Sequence, residues 1–212
     1  MTIKTVVNAD AGTTDLVGGN DCDNLATSLN LGEPYMYLVA KSGSTYYVKN
    51  SAGEVAHSGS TPATEIQWAL DNLTVGRTWK ETVIIKGSYT ISTRLDVSSY
   101  TKVILNGKIT LGPSLTLNAI IRNKTYNTAQ QTDIEIQGGI WDGNMAGGST
   151  SNGIALFGTN NQFIHDLTVQ NCGGLASRGI YLGTNSSSYI SDGIFVDNVI
   201  CNNNYLGNEI AK

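Results

Sequence analysis

Three aspartates and one arginine in the C-terminal half have the types needed for acid–base chemistry: Asp142, Asp166, Asp192 and Arg178. Paired carboxylates ~6.5–9.5 Å apart can cleave a glycosidic bond, one protonating the leaving oxygen and the other activating water. Alternatively, carboxylates hold Ca²⁺ while a base removes the proton α to a uronate carboxylate. Each residue also has a plainer reading. Aspartate is ordinary at turns, and Asp142 precedes Gly143, where its carboxylate would satisfy turn amides. His165 and Asp166 are neighbours on one expected strand, so they should face opposite ways and form no direct pair. His57 precedes an expected helix and has no adjacent partner in the sequence.

Sugar binding asks less of a chain. It needs aromatic faces and amide side chains, and Trp141, Tyr181, Tyr205, Asn144 and Asn171 supply both. Trp141 could equally pack inside. With two histidines, three cysteines and no Cys-x-x-Cys, a zinc site is not expected. The cysteines read as small buried hydrophobes. No cofactor is expected, apart from Ca²⁺ in the lyase case.

Composition limits the partners. Charged residues make up 14% of the 212, against a usual ~25%. There are 24 glycines and only 3 prolines. This suits short strands joined by tight turns, because glycine and asparagine tolerate positive φ. The net charge is -4 and no Lys/Arg run exceeds two residues, which argues against nucleic acid. No apolar stretch approaches the ~20 residues of a membrane span. The N-terminus shows no apolar secretory region. The expected setting is extracellular, on a cell surface or a virion.

The elements that must position these residues follow from patterning. A short helix is expected over about 21–29. Tyr35–Ala40 and Thr45–Lys49 read as a hairpin around Lys41-Ser-Gly-Ser, with a second turn at Asn50–Gly53. A helix is expected over 62–73, with Thr61 as N-cap, Pro62 at the first position and a stripe of Ile66, Ala69, Leu70 and Leu73. From Thr82 the chain becomes repetitive. Aligning Leu105, Ile136, Ile164 and Val196 gives intervals of 31, 28 and 32, and Ile154 to Ile180 is 26. A period near 30 built of short β-branched strands predicts a parallel β-solenoid. The same alignment puts Asn171 and Asn203 at equal offsets, seven residues past Ile164 and Val196, where stacked amides would hydrogen-bond along the axis. The expected organisation is a lead-in or attachment segment over 1–58 and an all-β domain over 59–212, capped by the helix.

Three stretches carry a likeness to a known family: Pro62-Ala-Thr-Glu-Ile-Gln-Trp-Ala-Leu, Glu81-Thr-Val-Ile-Ile-Lys-Gly-Ser-Tyr-Thr-Ile-Ser and Ile134-Glu-Ile-Gln-Gly-Gly-Ile-Trp-Asp-Gly-Asn. They resemble the opening of the pectin-lyase-like superfamily, in its pectate-lyase-3 and glycoside-hydrolase-28-like members. The resemblance spans roughly 60–212. It implies a right-handed parallel β-helix with an N-terminal capping helix, of the kind found in phage tailspikes and polygalacturonases. It does not carry the activity over. The Asn-Thr-Asp, Asp-Asp, Gly-His-Gly and Arg-Ile-Lys motifs of the hydrolases are absent, as is the Asp-x-x-x-Asp of the calcium-dependent lyases. Three readings follow. The first is a polysaccharide-recognising β-helix of a virion tail or cell surface. The second is a hydrolase or lyase built from Asp142, Asp166, Asp192 and Arg178. The third is a structural unit that assembles as a trimer or end to end, since the sequence ends at Asn208–Lys212 without an evident cap.

Overall fold

The computed structural model describes residues 34–126, 128–174, 177–183, 189, 191–206 and 208–210. The helix expected over 21–29 and Cys22 lie outside them. The described chain is mostly β, with a single α-helix, and its strands form two sheets.

The larger sheet has nine strands. β1 (Tyr37–Ser42), β2 (Thr45–Asn50) and β3 (Val55–Gly59) make the antiparallel start, joined at the two turns that the sequence predicts. The helix α1 (Pro62–Asp71) follows. β1 then lies parallel to β4 (Glu81–Ile91). β4 is followed across the sheet by β6 (Thr101–Leu111), by β8 (Gln131–Gln137) and β9 (Ile140–Asp142) end to end, by β11 (Thr159–Gln170) and by β13 (Asp192–Asn202), all parallel. The smaller sheet is wholly parallel: β5 (Leu95–Val97), β7 (Thr116–Asn123), β10 (Thr150–Phe157), β12 (Ile180–Gly183) and β14 (Asn208–Ile210). Parallel neighbours require the chain to leave a sheet and return. From β4 to β14 it does so by alternating between the two sheets.

Register explains the sequence period. Ile136, Ile164 and Val196 are direct partners, and so are Ile154 and Ile180. Leu105 is not in that row, because Val103 pairs with Ile136. A separate register change falls at Gly138 and Gly139, both in the left-handed region, where the spacing goes from 33 residues (Val103 to Ile136) to 32 (Ile109 to Trp141). Three residues of β6 pass opposite these two glycines, and a Cβ on Gly139 would fall 2.4 Å from the Leu105 side chain. Leu105 therefore fills the space that Gly139 leaves. Inward rows such as Val83–Val103–Ile136–Ile164 and Ile109–Trp141–Val169 join one buried apolar cluster.

The bends recur in columns. Tyr100, Asp133, Asn161 and Gly193 each precede a registered strand residue, and all four have φ between 51° and 61° or close to it: 57, 56, 52 and 60°. Asp166 and Asn198 form a second column, with Asn198 Nδ2 donating to Asp166 at 2.7 Å. Asn171 and Asn203 form a third, and Asn203 Nδ2 donates to Asn171 Oδ1 at 2.8 Å, as the equal offsets predict. Asparagine and aspartate adopt this conformation at low cost, and their side chains link one bend to the next.

α1 ends two residues sooner than the sequence suggests, and Thr61 makes no side-chain cap bond. Its stripe is buried as expected. It packs on β1 to β5. Gln67 closes the free backbone of β5, donating to Asp96 O at 3.0 Å and accepting from Asp96 N at 2.8 Å. His57 does find a partner, across the start of α1: Glu65 lies 2.6 Å from Nδ1, and the Trp68 ring stacks on the imidazole. Among the described residues, no helix is long and apolar enough to cross a membrane.

Candidate functional site

The outward face of the larger sheet carries a registered row that contrasts with the apolar rows behind it: Lys102 on β6, Glu135 on β8, Phe163 on β11 and Phe195 on β13. His165 lies two residues along from Phe163, on the same face. Glu135 is 7% exposed, yet it carries the charge of the site. Lys102 Nζ lies 2.9 Å from its Oε1, Lys80 Nζ bonds its Oε2, and His165 Nε2 is 3.4 Å away. Burial pushes the Glu135 pKa up, but hydrogen bonds and charge from Lys80 and Lys102 outweigh it, leaving the carboxyl below its ordinary range. Glu135 is thus a fixed acceptor rather than a proton donor.

The imidazole of His165 is held on three sides. Nδ1 meets Asp166 Oδ2 at 2.8 Å, Nε2 faces Glu135, and the Phe163 ring stacks at 4.1 Å. This corrects the expectation that His165 and Asp166 point apart. Asp166 has φ 57°, a left-handed residue inside β11, so alternation breaks there and Leu167 turns into the core. Hydrogen bonds from Asn198 and His165 hold Asp166 below the usual carboxylate range. Beyond Phe163, Phe195 stands 63% exposed with its ring at 72° to its neighbour. The result is an apolar ledge beside a fixed array of carboxylate, imidazole and ammonium groups.

The residues singled out from sequence are distributed differently. Asp142 is a structural hub on β9. It accepts from Gln170 Nε2 at 2.7 Å, Asn144 N at 2.9 Å and Asn171 Nδ2 at 3.1 Å, and it pairs with Lys108 at 2.9 Å. Burial raises its pKa, and these four contacts more than offset that, leaving it lowered. Asp142 pairs in register with Gln170, four positions beyond Asp166, so the two carboxylates are about 13 Å apart along the sheet. Asp192 pairs with Asn160, ten positions from Gln170 and beyond the bends at Asn161 and Asp166. Arg178 precedes β12 in the other sheet, with its guanidinium 4.2 Å from the Tyr181 ring centroid. The four therefore do not line one groove, and only Asp166 belongs to the Glu135–His165 row.

Among the expected ligand residues, Trp141 is wholly buried, and its indole donates to Gly138 O at 3.2 Å, so no face is free for a sugar. Asn144 Nδ2 donates to Leu111 O and Asn171 to Asp142, so both amides serve the fold. Tyr181 packs edge-on against Phe157 and caps a small aromatic group with Tyr126. Tyr205 is 54% exposed, with its backbone N bonded to Cys172 O. Cys172 is buried, and its thiol is pushed up to about 12, chiefly by burial. Among the described residues, no three His, Cys, Asp or Glu side chains converge to hold a metal ion.

Sequence reasoning missed Glu135, Lys80, Lys102, Phe163 and Phe195. A usable signal existed, because Lys102 to Glu135 spans 33 residues and Phe163 to Phe195 spans 32, the same period as the inward rows. Following the period only through apolar inward positions hid it. Comparisons with family models, with curated proteins and with solved structures found no match to this chain.

Proposed function

We propose that residues 59–212 wind into a right-handed parallel β-helix of the pectin-lyase-like kind, capped by α1 and led in by 1–58. We further propose that its outer face recognises a polysaccharide at a virion tail or cell surface. Two observations support the winding: from β4 to β14 parallel-paired strands alternate between the two sheets, and registered partners recur at intervals of 26 to 34 residues beyond β6.

One observation carries the recognition reading: the row Lys102–Glu135–Phe163–Phe195 with His165 beside it. A sugar ring has an apolar C–H face and a hydroxyl rim. The Phe195 ledge suits the first, and the half-exposed Asp166 carboxylate with the Lys80 ammonium beside Glu135 suits the second. Because Glu135, Asp142 and Asp166 are all held ionised, none is matched to the acid role in glycoside cleavage. Binding without turnover is the expectation.

The test is a glycan array probed with the full chain, followed by titration of each hit against Phe195→Ala. Loss of one aromatic contact, worth about 0.5–1.5 kcal/mol, should weaken binding roughly 2- to 12-fold. Unchanged affinity, or an array without a hit, would refute the reading. Release of reducing ends or of unsaturated uronide would replace it with the enzymatic one. Self-association as a trimer or end to end is a second reading, favoured by Val196 and Ile200, 40% and 60% exposed on β13. Light scattering across a concentration series checks it.

A further inference from the structure

We propose that the cleft at the C-terminal end of α1 is a second site, separate from the Phe195 face, which takes one neutral sugar-sized polyol. The cleft has a volume of about 350 Å³, at the small end of the roughly 300–1,000 Å³ usual for ligand pockets. Its walls come from the end of α1, the loop 74–77, the bend 98–100, Lys124 and Gln131.

The walls are held before any ligand arrives. Glu81 accepts from Thr74 N at 2.7 Å and from Thr74 Oγ1 at 2.8 Å. Arg77 ties the loop to the opposite wall, donating to Thr74 O, Ser99 O, Tyr100 O and Thr101 Oγ1 at 2.7–3.0 Å. Both groups are spent on shape. A preorganised cleft gives up less entropy on binding than a mobile one.

Tyr100 is the anomaly. Its column is otherwise Asp133, Asn161 and Gly193, residue types that take the left-handed conformation cheaply. A tyrosine at φ 57° is strained there, and it stands at the edge of this cleft and of no other bend in the column. Arg77 and the Glu81 amide both bond its carbonyl and hold the strain in place. Strain maintained at a cleft points to a role in that cleft.

The chemistry of the lining sets the ligand class. Leu70, Leu73 and Val75 form an apolar side, and Val75 is 95% exposed. Asp71 and Lys124 pair at 2.6 Å on the polar side and offer one acceptor and one donor. Gln131 also lines the cleft, and its buried Oε1 has no partner among the described residues. Arg77 balances Glu81 and Lys124 balances Asp71, so the cleft is neutral. An apolar face with a rim of hydroxyls and no charge fits all three features.

The experiment uses the full chain and four probes: the methyl glycosides of glucose, galactose, mannose and N-acetylglucosamine, followed by saturation-transfer NMR and calorimetry. At least one probe should bind, and Val75→Asp and Lys124→Ala should each weaken it tenfold or more. Chemical-shift changes on binding should centre on Leu73–Arg77 and Lys124 and not on Phe163 and Phe195, which separates this site from the outer face. Tyr100→Asn should weaken binding while raising the melting temperature by about 2 °C or more, since strain is relieved. The proposal is overturned if no probe binds, if the cleft variants bind as the parent does, if the chemical-shift changes centre on Phe163 and Phe195, or if Tyr100→Asn melts lower.

Discussion

Removing the Asp142 carboxylate tests whether this residue serves the fold or a reaction. In Asp142→Ala, Lys108, Gln170, Asn171 and the Asn144 amide all lose their acceptor. Asp142 is 5% exposed, so water replaces it poorly. Lys108 is more open and recovers part of its hydration. Breaking a buried charged network from one side costs about 3–5 kcal/mol. In a domain of this size each kcal/mol moves the melting temperature by about 2–4 °C, so a fall of roughly 6–20 °C is expected. Asp142→Asn keeps the shape and one acceptor, and should cost about 1–3 kcal/mol. Its pH dependence fixes the sign. The folded pKa of Asp142 is depressed. The stability it contributes is therefore present above the unfolded pKa of about 3.9, and is lost as the pH falls through the folded value. The gap between parent and Asp142→Asn should be full at pH 6–7 and narrow as the pH falls below the unfolded pKa of about 3.9. Urea titrations at several pH values measure it. A cycle with Asn171→Ala should give a coupling of about 0.5–3 kcal/mol. A loss below about 1 kcal/mol in Asp142→Ala, accompanied by loss of activity on a polysaccharide, would refute the structural role.

Two other perturbations probe the same framework. Gly153→Ala should destabilise by at least about 1–3 kcal/mol in urea melts, since its Cβ would lie 2.4 Å from the Gly179 carbonyl oxygen and 2.2 Å from a Val169 methyl, and backbone on a neighbouring strand has nowhere to go; an unchanged midpoint would mean that the strands are looser than their register implies. Glu135→Gln should remove part of the acid sensitivity, because the depressed Glu135 pKa gives stability above about pH 4.3 that fades as the pH falls through the folded value; an identical acid limb in parent and variant would contradict the lysine clamp.

The sequence by itself determined the parts that depend on local pattern. The stripe of α1, the turns at Lys41–Ser44 and Asn50–Gly53, and the partners Ile136–Ile164–Val196 were all legible, because helix and strand periods and turn residues act over a few positions. The Asn171–Asn203 bond was legible for a related reason: a fixed repeat places equal offsets on top of one another. Only the tertiary structure decided which polar side chains share a surface. Lys80 and Glu135 are 55 residues apart and meet because parallel strands bring successive passes side by side. Asp166 stands beside His165 because one left-handed residue cancels the strand alternation, and the sequence marks that φ only through Asp166 and Asn198 at the 32-residue repeat. Trp141 and Phe195 are both aromatic residues in β-rich runs, yet one is sealed in the core and the other lies open. The difference is set by the parity of each position relative to the bends and by the place of β13 at the edge of its sheet, properties of the wound chain rather than of either residue.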